Sequence, residues 1–487
     1  MTQSPREGRA PDGTHSVSTY RMLADGSGFG FVRANAGQLL LHVVGASEGF
    51  RGEGASSGLL CPLIPENARA LMERFEWLRP QRMPADRPSF GFGDRLGLAT
   101  SGHIRGLPSS SSIFPILAQQ SVRENARTGR TFADVLADAV FGAFREGYES
   151  GFGADADHLK EIDDALEAAR LGYTFFTCDP GDHVVATEAM PVEEIASRFN
   201  ALDDAADLTK RYSNRSFGVG ENQVLHFSEG DLHRAAVKYR GAINHAARMY
   251  EALKAECGAD FDYEVSVDET EEPTSPLEHL FVALELRRRG VDYVSLAPRF
   301  VGAMEKGVDW RGDFERFSTD LEMHATIAES VKGYRLSLHS GSDKFSLYPL
   351  FSRMTRGRCH VKTAGTSYLV ALEVVARHRP DLFRKMAGYS LKAFADDKAT
   401  YHISADPARI PPIAGLSDAE LVDLIEAHDS RQVLHVAYGS ILQSEYVGEF
   451  RSVLAEHEED HFTALARHLG RHVEGLLIGD LEVEAHG

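Results

Sequence analysis

The chain has 487 residues, of which 43% are hydrophobic and 25% charged, a composition typical of a globular protein with one large core or several smaller ones. Asp and Glu outnumber Lys and Arg by 72 to 52, and the net charge of −20 argues against nucleic acid or an anionic membrane as a partner. Four scattered cysteines, no long apolar run and no secretory signal exclude a disulfide scaffold and a membrane span and predict a cytoplasmic protein.

The composition of the first part of the chain predicts a disordered tail followed by a small α+β element. Residues 1–15 are rich in Gly, Pro, Arg and Ser, which predicts disorder. Short apolar runs broken by glycine turns follow, and then the helical periodicity of PENARALMERFEWL. We therefore expect an N-terminal α+β element over residues 16–87.

A different sequence pattern begins at residue 88, where short apolar runs that end in polar residues alternate with long amphipathic stretches. About eight such repeats predict an α/β fold, a TIM-type (β/α)₈ barrel over residues 88–440, with an insertion near 185–260 and C-terminal helices over 441–487. An open doubly wound sheet has the same alternation, but no GxGxxG follows the first strand. The predicted strands are SFGFGDRLGL, GFGADADHL, YTFFTCD, YEVSVDE, DYVSLAPR, YRLSLHSGSD, CHVKTAG and, last, YHISAD or LHVAYG.

Polar side chains cluster where these strands end, which is where a barrel enzyme carries its reacting groups. Alternate residues of a strand face opposite sides, so polar residues two apart share the inward face. Any one of them alone fits a helix cap or a hydrogen-bonded core histidine. The inward polar residues are predicted to be Asp155, Asp157, Glu264, Ser266, Asp268, His339, His360, Lys362, and His402 and His435 of the alternative last strands.

Carboxylates cannot be buried so densely without a compensating cation. A divalent metal held by mixed histidine and carboxylate ligands, with open positions for substrate, is the simplest such cation. The sequence therefore predicts a metal site at the strand ends, for Zn, Mn, Ni or Co.

The loops after the strands carry groups that suit a polyol or carbonyl acid. Glycine-rich loops that open helices could bind a carboxylate or a phosphate at the helix dipole, although the same glycines could simply make turns and the lysines could be solvated. The predicted substrate-binding residues are Arg95, His103, Lys160, Ser340, Ser342, Lys344, Lys362 and Thr363.

Several ordered blocks resemble the tagaturonate epimerase family, from about Pro88 to the C-terminal helix. These blocks are SFGFGDRLGLATSGHI, IFPILAQQSVRE, GFGADADHLK, FFTCDPGDHV, SVDETEEPTSPLEHLF, LHSGSDKFSLYP and HVKTAGTSYL. The resemblance implies a TIM-like barrel, a divalent metal and an isomerase of hexuronate catabolism that inverts C4 of a 2-keto-hexuronate, interconverting tagaturonate and fructuronate. Some relatives act on neutral ketohexoses.

The chemistry of this inversion favours a retro-aldol route. C4 lies β to the C2 carbonyl, so enolisation does not acidify its hydrogen; cleavage and re-formation of the C3–C4 bond avoids that problem, and transient oxidation by a nicotinamide lacks its fingerprint. Our hypothesis takes Glu269, His339 and His360 as metal ligands, Asp157 as a fourth ligand or the base, and Asp179 as the second acid/base candidate. Glu269 is preferred to Asp268 for its longer reach.

Other functions fit the same pattern less well. A class II-type metal-dependent aldolase shares the bond-breaking step, and a ketose (tagatose/fructose) 4-epimerase or an aldose–ketose isomerase shares the fold. A non-catalytic carbohydrate-binding protein would use the strand-end carboxylates without a metal. We expect a small keto-sugar acid as the ligand and allow for a homo-oligomer.

Overall fold

Eight parallel strands close into a barrel in the computed structural model of this chain, which describes residues 10–18, 20–34, 37–109, 112–401 and 403–484. The predicted (β/α)₈ fold is thereby confirmed. None of the helices in these ranges is long and apolar enough to cross a lipid bilayer.

An antiparallel sheet of six strands precedes the barrel. It packs on the barrel through aromatic side chains, with Phe31 against Phe141 and Phe144 of a barrel helix. Residues 1–9 of the predicted tail lie outside the described residues, and Thr14 and His15 belong to the first strand rather than to a tail. The elements are β1 (Thr14–Ser16), β2 (Arg21–Met22), β3 (Gly28–Ala34), β4 (Leu39–Val44), β5 (Glu53–Ala55), β6 (Gly58–Cys61), α1 (Pro65–Arg74) and the 3₁₀ turn Glu76–Leu78.

The barrel strands follow one another around the barrel in chain order, and the last pairs with the first. A two-stranded hairpin, β11–β12, lies outside the barrel. The strands are β7 (Ser89–Gly93), β8 (Phe114–Ser121), β9 (Gly153–Leu159), β10 (Phe175–Cys178), β11 (Arg215–Val219), β12 (Gln223–Phe227), β13 (Asp262–Val267), β14 (Ser295–Pro298), β15 (Arg335–Leu338) and β16 (Cys359–Thr363).

The helices that cover the barrel start at clear sequence signals. Five of the helices below begin with a capping box, in which a Ser or Thr side chain and an acidic side chain three residues later bond each other's backbone amides. The helices are α2 (Thr100–Arg105), α3 (Val122–Thr128), α4 (Phe132–Glu146), α5 (Ile162–Leu171), α6 (Val192–Asn200), α7 (Ala205–Tyr212), α8 (Glu229–Cys257), α9 (Pro276–Arg288), α10 (Phe314–Ser330), α11 (Tyr348–Thr355), α12 (Thr366–His378), α13 (Pro380–Asp397), α14 (Asp418–Glu426), α15 (His428–Val436), α16 (Tyr438–Leu442), α17 (Val447–Glu456) and α18 (Glu458–Glu484).

The bounds of the predicted insertion and of the predicted C-terminal helices differ from those in the structure. The segment near 185–260 contains α6, α7 and the hairpin, but α8 packs between α5 and α9 and is the barrel's own helix. All strands of the barrel end by Thr363, so the C-terminal helices begin before residue 441. Of these helices, α18 packs against α2 and α11. The helix α15 contributes His435 to the wall of the cavity described below.

The structure differs from the predicted set of strands at two places: one predicted strand is not formed, and one observed strand was not predicted. LHVAYG is not a strand, because His435 lies in α15; His402 of YHISAD lies outside the described residues. The missing strand is β8, whose eight residues are all buried. A short apolar run has no period that separates a buried strand from a buried helix, which explains both errors.

The inward and outward faces of the strands agree with the predicted alternation. On β13, Tyr263 points outward and donates to the carbonyl of Ala246 on α8, at 2.8 Å. Its neighbour Glu264 points into the barrel, where it contacts Lys362 of β16. Polar side chains therefore fill the interior near the carboxyl ends of the strands.

Candidate active site at the mouth of the barrel

A cavity opens at the carboxyl ends of the strands and widens into a cleft of about 660 Å³. The cavity and the cleft share six wall residues, namely Arg123, His158, Lys306, His339, Ser340 and Tyr401. Since strand ends from both halves of the barrel contribute to these walls, this is the place where a barrel enzyme would carry its chemistry.

Lys362 lies at the floor of the cavity inside a cage of three carboxylates. Its ammonium nitrogen is 2.7 Å from Asp155, 2.9 Å from Asp157 and 3.0 Å from Glu264, and it also donates to the hydroxyl of Thr177. Burial alone would lower the pKa of Lys362, but the three carboxylates raise it above its usual value. The chain itself thus supplies one cation for the buried carboxylates, where the sequence indicated only a metal.

The same carboxylates do not share one charge state. Burial, together with the neighbouring Asp157 and Glu264, raises the pKa of Asp155 to about 7 despite the opposing effect of Lys362. For Asp157, the charges of His158, Lys362 and His339 overcome burial and hold its pKa below the usual range. Asp157, which lines the cavity, is therefore an ionised carboxylate at neutral pH.

His339 follows directly after β15 and is fixed by two carboxylates. Its Nε2 is 2.6 Å from Oε1 of Glu264, and its Nδ1 is 3.3 Å from Oδ1 of Asp268. Burial would lower the pKa of His339, but Asp268 and Glu264 raise it to about 9.

His158 stands opposite His339, with the two ring centres 4.8 Å apart. Its backbone has a φ of 49°, the left-handed region that non-glycine residues rarely adopt, so the chain turns sharply there. Its Nδ1 is 3.3 Å from Asp179 and its Nε2 is 3.9 Å from Asp157. Burial opposes the charge on this ring, but Asp157 and then Asp179 raise the pKa of His158 to about 10.

These residues form a group that could hold a cation. One ligand atom each from His158, Asp268 and His339 lies within 4.8 Å of the other two. Behind them, Glu264 and Asp179 accept from the remaining ring nitrogens, as the outer carboxylates of histidine metal sites do. The donor set of two imidazoles and a carboxylate suits a divalent transition metal.

The predicted ligands are placed in three different ways. His339 belongs to the group above. Glu269 is more exposed than Asp268, with 37% against 20% of its side chain accessible, and it contacts Arg123 at 3.4 Å; it lies within 4.8 Å of ligand atoms of His158 and Asp179.

His360 is the third predicted ligand, and it lies deeper in the barrel. It bonds Ser89 through Nδ1 at 2.9 Å, and burial lowers its pKa to about 3. Within the described part of the chain it joins no group of three ligand atoms close enough for one ion.

The two predicted acid/base residues have different surroundings. Asp157 faces the cavity. Asp179 is buried beside it, accepts from the backbone amide of Gly181 at 3.0 Å and holds the ring of His158. The geometry thus gives Asp157 access to a substrate and gives Asp179 an orienting position.

Four of the predicted substrate-binding residues line the cavity, namely Arg95, Ser340, Ser342 and Lys362. The other four are bonded elsewhere in the structure. His103 bonds Ser367 at 2.7 Å under α12, Lys160 pairs with Asp182 at the surface, Lys344 donates to three backbone carbonyls, and Thr363 donates to the carbonyl of Gly91.

Several wall residues were not singled out from the sequence as part of a site. His158 lies near the carboxyl end of β9, directly after the predicted inward residue Asp157, and this position was the available signal. Glu124 caps α3 and pairs with Arg95 at 2.8 Å, a double role that a capping pattern alone cannot reveal. Lys306 and Tyr401 lie in loops with no periodic pattern.

Comparison with known proteins gives one consistent result. Residues 31–476 match the sequence model of the tagaturonate epimerase family. A protein of Thermotoga maritima named tagaturonate/fructuronate epimerase is 47% identical over 426 residues, which are 87% of each chain. Two crystal structures of the fructuronate-tagaturonate epimerase UxaE from Cohnella laeviribosi, one native and one with a glycerol bound, superpose with a TM-score of 0.89 at 38% identity and cover 95% of each chain.

Proposed function

The chain belongs to the tagaturonate epimerase family and is an isomerase-class enzyme, and on this premise we propose that it interconverts tagaturonate and fructuronate with a divalent metal at the mouth of its barrel, by a retro-aldol reaction. The observation that carries the proposal is the group His158, Asp268 and His339, which lines the cleft at the mouth of the barrel. When bound there, a divalent metal would act as a Lewis acid on the keto group and stabilise negative charge.

The protein groups around this site can carry the proton transfers. Asp157 is ionised, faces the cavity and is held by Lys362 at 2.9 Å, so it is placed to take the proton of the C4 hydroxyl. The C3–C4 bond then breaks: its electron pair stays on the C1–C3 fragment as an enediolate, and C4 becomes an aldehyde. The enediolate attacks the other face of the aldehyde, and Asp157 returns its proton to the new C4 oxygen.

The surroundings suit a reaction that passes through two fragments. Lys362, at the floor of the cavity, places a fixed positive charge beneath the developing negative charge. Tyr401, from the segment after α13, covers one side of the cavity. Restricting access in this way keeps the aldehyde fragment beside the enediolate until the bond re-forms.

Incubation of the metal-reconstituted protein with tagaturonate in deuterated water, followed by NMR, tests the proposal. We expect fructuronate to form with hydrogen, not deuterium, at C4, and to form only when metal is present. Deuterium at C4 would contradict the proposed retro-aldol cleavage of the C3–C4 bond. Turnover after complete metal removal would contradict the proposed metal dependence.

A trapping agent for aldehydes in the same reaction separates epimerase from aldolase. The proposed reaction keeps both fragments bound, so trapped three-carbon products should be a minor fraction of the turnover. Stoichiometric release of fragments would show an aldolase instead.

A further inference from the structure

We propose that the end of the cavity formed by Lys306, His435 and the N-terminus of α12 binds the carboxylate of the substrate and gives the enzyme its preference for a keto-sugar acid over a neutral ketose. This inference rests on the proposed function, and it names the residues that recognise the acid group.

His435 is the first observation that points to a ligand. It projects from α15 into the cavity wall with 1% of its surface exposed, and within the described part of the chain neither of its ring nitrogens has a hydrogen-bond partner. Buried polar groups in native proteins are almost always bonded to protein, water or ligand. An imidazole with two open nitrogens in a cavity wall is therefore available to an acceptor or donor on a substrate.

Lys306 is the second observation. It lines the cavity, its ammonium group donates to the hydroxyl of Ser340 at 2.7 Å, and no ion pair with a carboxylate is found for it among the described residues. The other cations of this wall are all paired: Arg95 with Glu124, Arg123 with Glu269, and Lys362 with its three carboxylates. Lys306 thus brings to the cavity a positive charge that, within the described residues, is in no ion pair, in a protein whose net charge is −20.

The start of α12 completes this end of the cavity. Ala364 and Gly365 line the wall, and Gly365 occupies the N-cap position, so the capping residue has no side chain to bond the first amides of this thirteen-residue helix. The positive end of a helix dipole favours an anion. A methyl group on Gly365 would lie 2.3 Å from the ring of His435 and 2.6 Å from Arg95, so only glycine allows these groups to converge.

The C-terminal helices hold this end in place. Arg431, one turn before His435 on α15, donates to the carbonyl of Gly307 and pairs with Asp343 at 3.0 Å. It therefore ties the loop that carries Lys306 to the loop that follows β15. The C-terminal extension contributes to the site itself and is not only a cover for the barrel.

The walls of the cavity and the cleft offer two sets of groups that suit the two ends of a keto-hexuronate. The group of His158, Asp268 and His339 would take the keto end, while Lys306 and His435 would take the carboxylate. A carboxylate held there anchors the C4–C6 fragment after bond cleavage. The fragment can then turn its aldehyde about C4–C5 without leaving, which is what separates an epimerase from an aldolase.

The test compares acid and neutral substrates for the wild type, Lys306→Met, Lys306→Arg and His435→Asn, with Lys385→Met, an exposed lysine on α13, as the matched control. The measured quantity is the ratio of kcat/KM for tagaturonate to kcat/KM for tagatose. We expect Lys306→Met to lower this ratio about tenfold to a hundredfold, Lys306→Arg to restore part of it and His435→Asn to lower it by about tenfold, because charge-assisted hydrogen bonds are lost. An unchanged ratio in Lys306→Met would overturn the proposal.

A binding experiment separates this inference from the proposed function. Calorimetry on metal-free protein compares D-glycerate with glycerol, which lacks the carboxylate. We expect glycerate to bind more tightly to the wild type and this preference to vanish in Lys306→Met. If wild type shows the preference but does not convert tagaturonate, the carboxylate site stands and the proposed function fails. If glycerate binds to Lys306→Met as it does to wild type, the carboxylate site fails whatever the turnover.

Discussion

Nε2 of His339 lies 2.6 Å from Oε1 of Glu264 inside the barrel, where both side chains are almost completely buried. When the ring is neutral, this contact places its one hydrogen on Nε2 and leaves the lone pair of Nδ1 facing Asp268. The orientation of the ring toward the cavity is thus set by a carboxylate from a different strand, and this relationship leads to the first prediction.

Replacing Glu264 by Gln should weaken metal binding about tenfold to a hundredfold with little change of fold, because the isosteric amide removes the charge that orients His339. Isothermal titration with Zn²⁺ or Mn²⁺ measures the affinity. Glu322→Gln, on the exposed face of α10, is the control. Equal affinities for Glu264→Gln and the wild type would show that Glu264 does not support a metal ligand.

Asp268 and Glu269 are adjacent in sequence, but we expect their substitutions to have opposite effects on metal content. Asp268→Asn should lose stoichiometric metal and most of the activity, because Asp268 contacts His339 at 3.3 Å. Glu269→Gln should keep its metal, since Glu269 is more exposed and contacts Arg123. Elemental analysis of the purified variants decides between them. Loss of metal only in Glu269→Gln would restore the assignment made from the sequence.

Lys362→Met should destabilise the fold by about 3–5 kcal/mol, because it leaves three buried carboxylates without their shared cation. Lys160→Met removes an exposed ion pair with Asp182 and should change stability by about 1 kcal/mol or less. Urea unfolding of the two variants measures the difference. Similar unfolding midpoints would mean that the carboxylates in the barrel are neutral rather than paired.

Acid should destabilise the protein partly through His103. Burial lowers the pKa of His103 to about 4, so between about pH 6.5 and 4 the unfolded chain binds a proton that the folded chain does not. The stability from the neutral ring is complete above this window and is lost as the pH falls through it, by about 3 kcal/mol. His103→Asn should therefore show a shallower dependence of unfolding free energy on pH over this window; an identical slope would contradict the shift.

The barrel and the identity of its inward polar residues follow from the sequence. A period of two along a strand depends only on local backbone geometry, so the alternation of residue types is enough to assign Glu264, Asp157 and Lys362 to the interior. Strand ends in a barrel meet at one face, which is why the position of the site was also predictable. The motif blocks indicated the family, and the family in turn indicated the class of reaction.

The choice among neighbouring residues required the tertiary structure. The sequence predicts that His360 and His339 both face inward, but only the structure shows that His360 lies a layer deeper and bonds Ser89. The preference for Asp268 over Glu269 depends on the direction in which the chain leaves β13, which packing decides.

Local sequence patterns predict least well which side chains are brought together by contacts between distant parts of the chain. The run LHVAYG is short and apolar and fits a strand or a helix equally well. In the structure it ends α15 and begins α16, and both helices pack against other helices. His435, Lys306 and Gly365 then converge on one cavity wall although they are far apart in sequence. The sequence by itself determined the fold class, the inward face of each correctly predicted strand and the family; only the tertiary structure decided which side chains share a wall, because that depends on packing between distant elements.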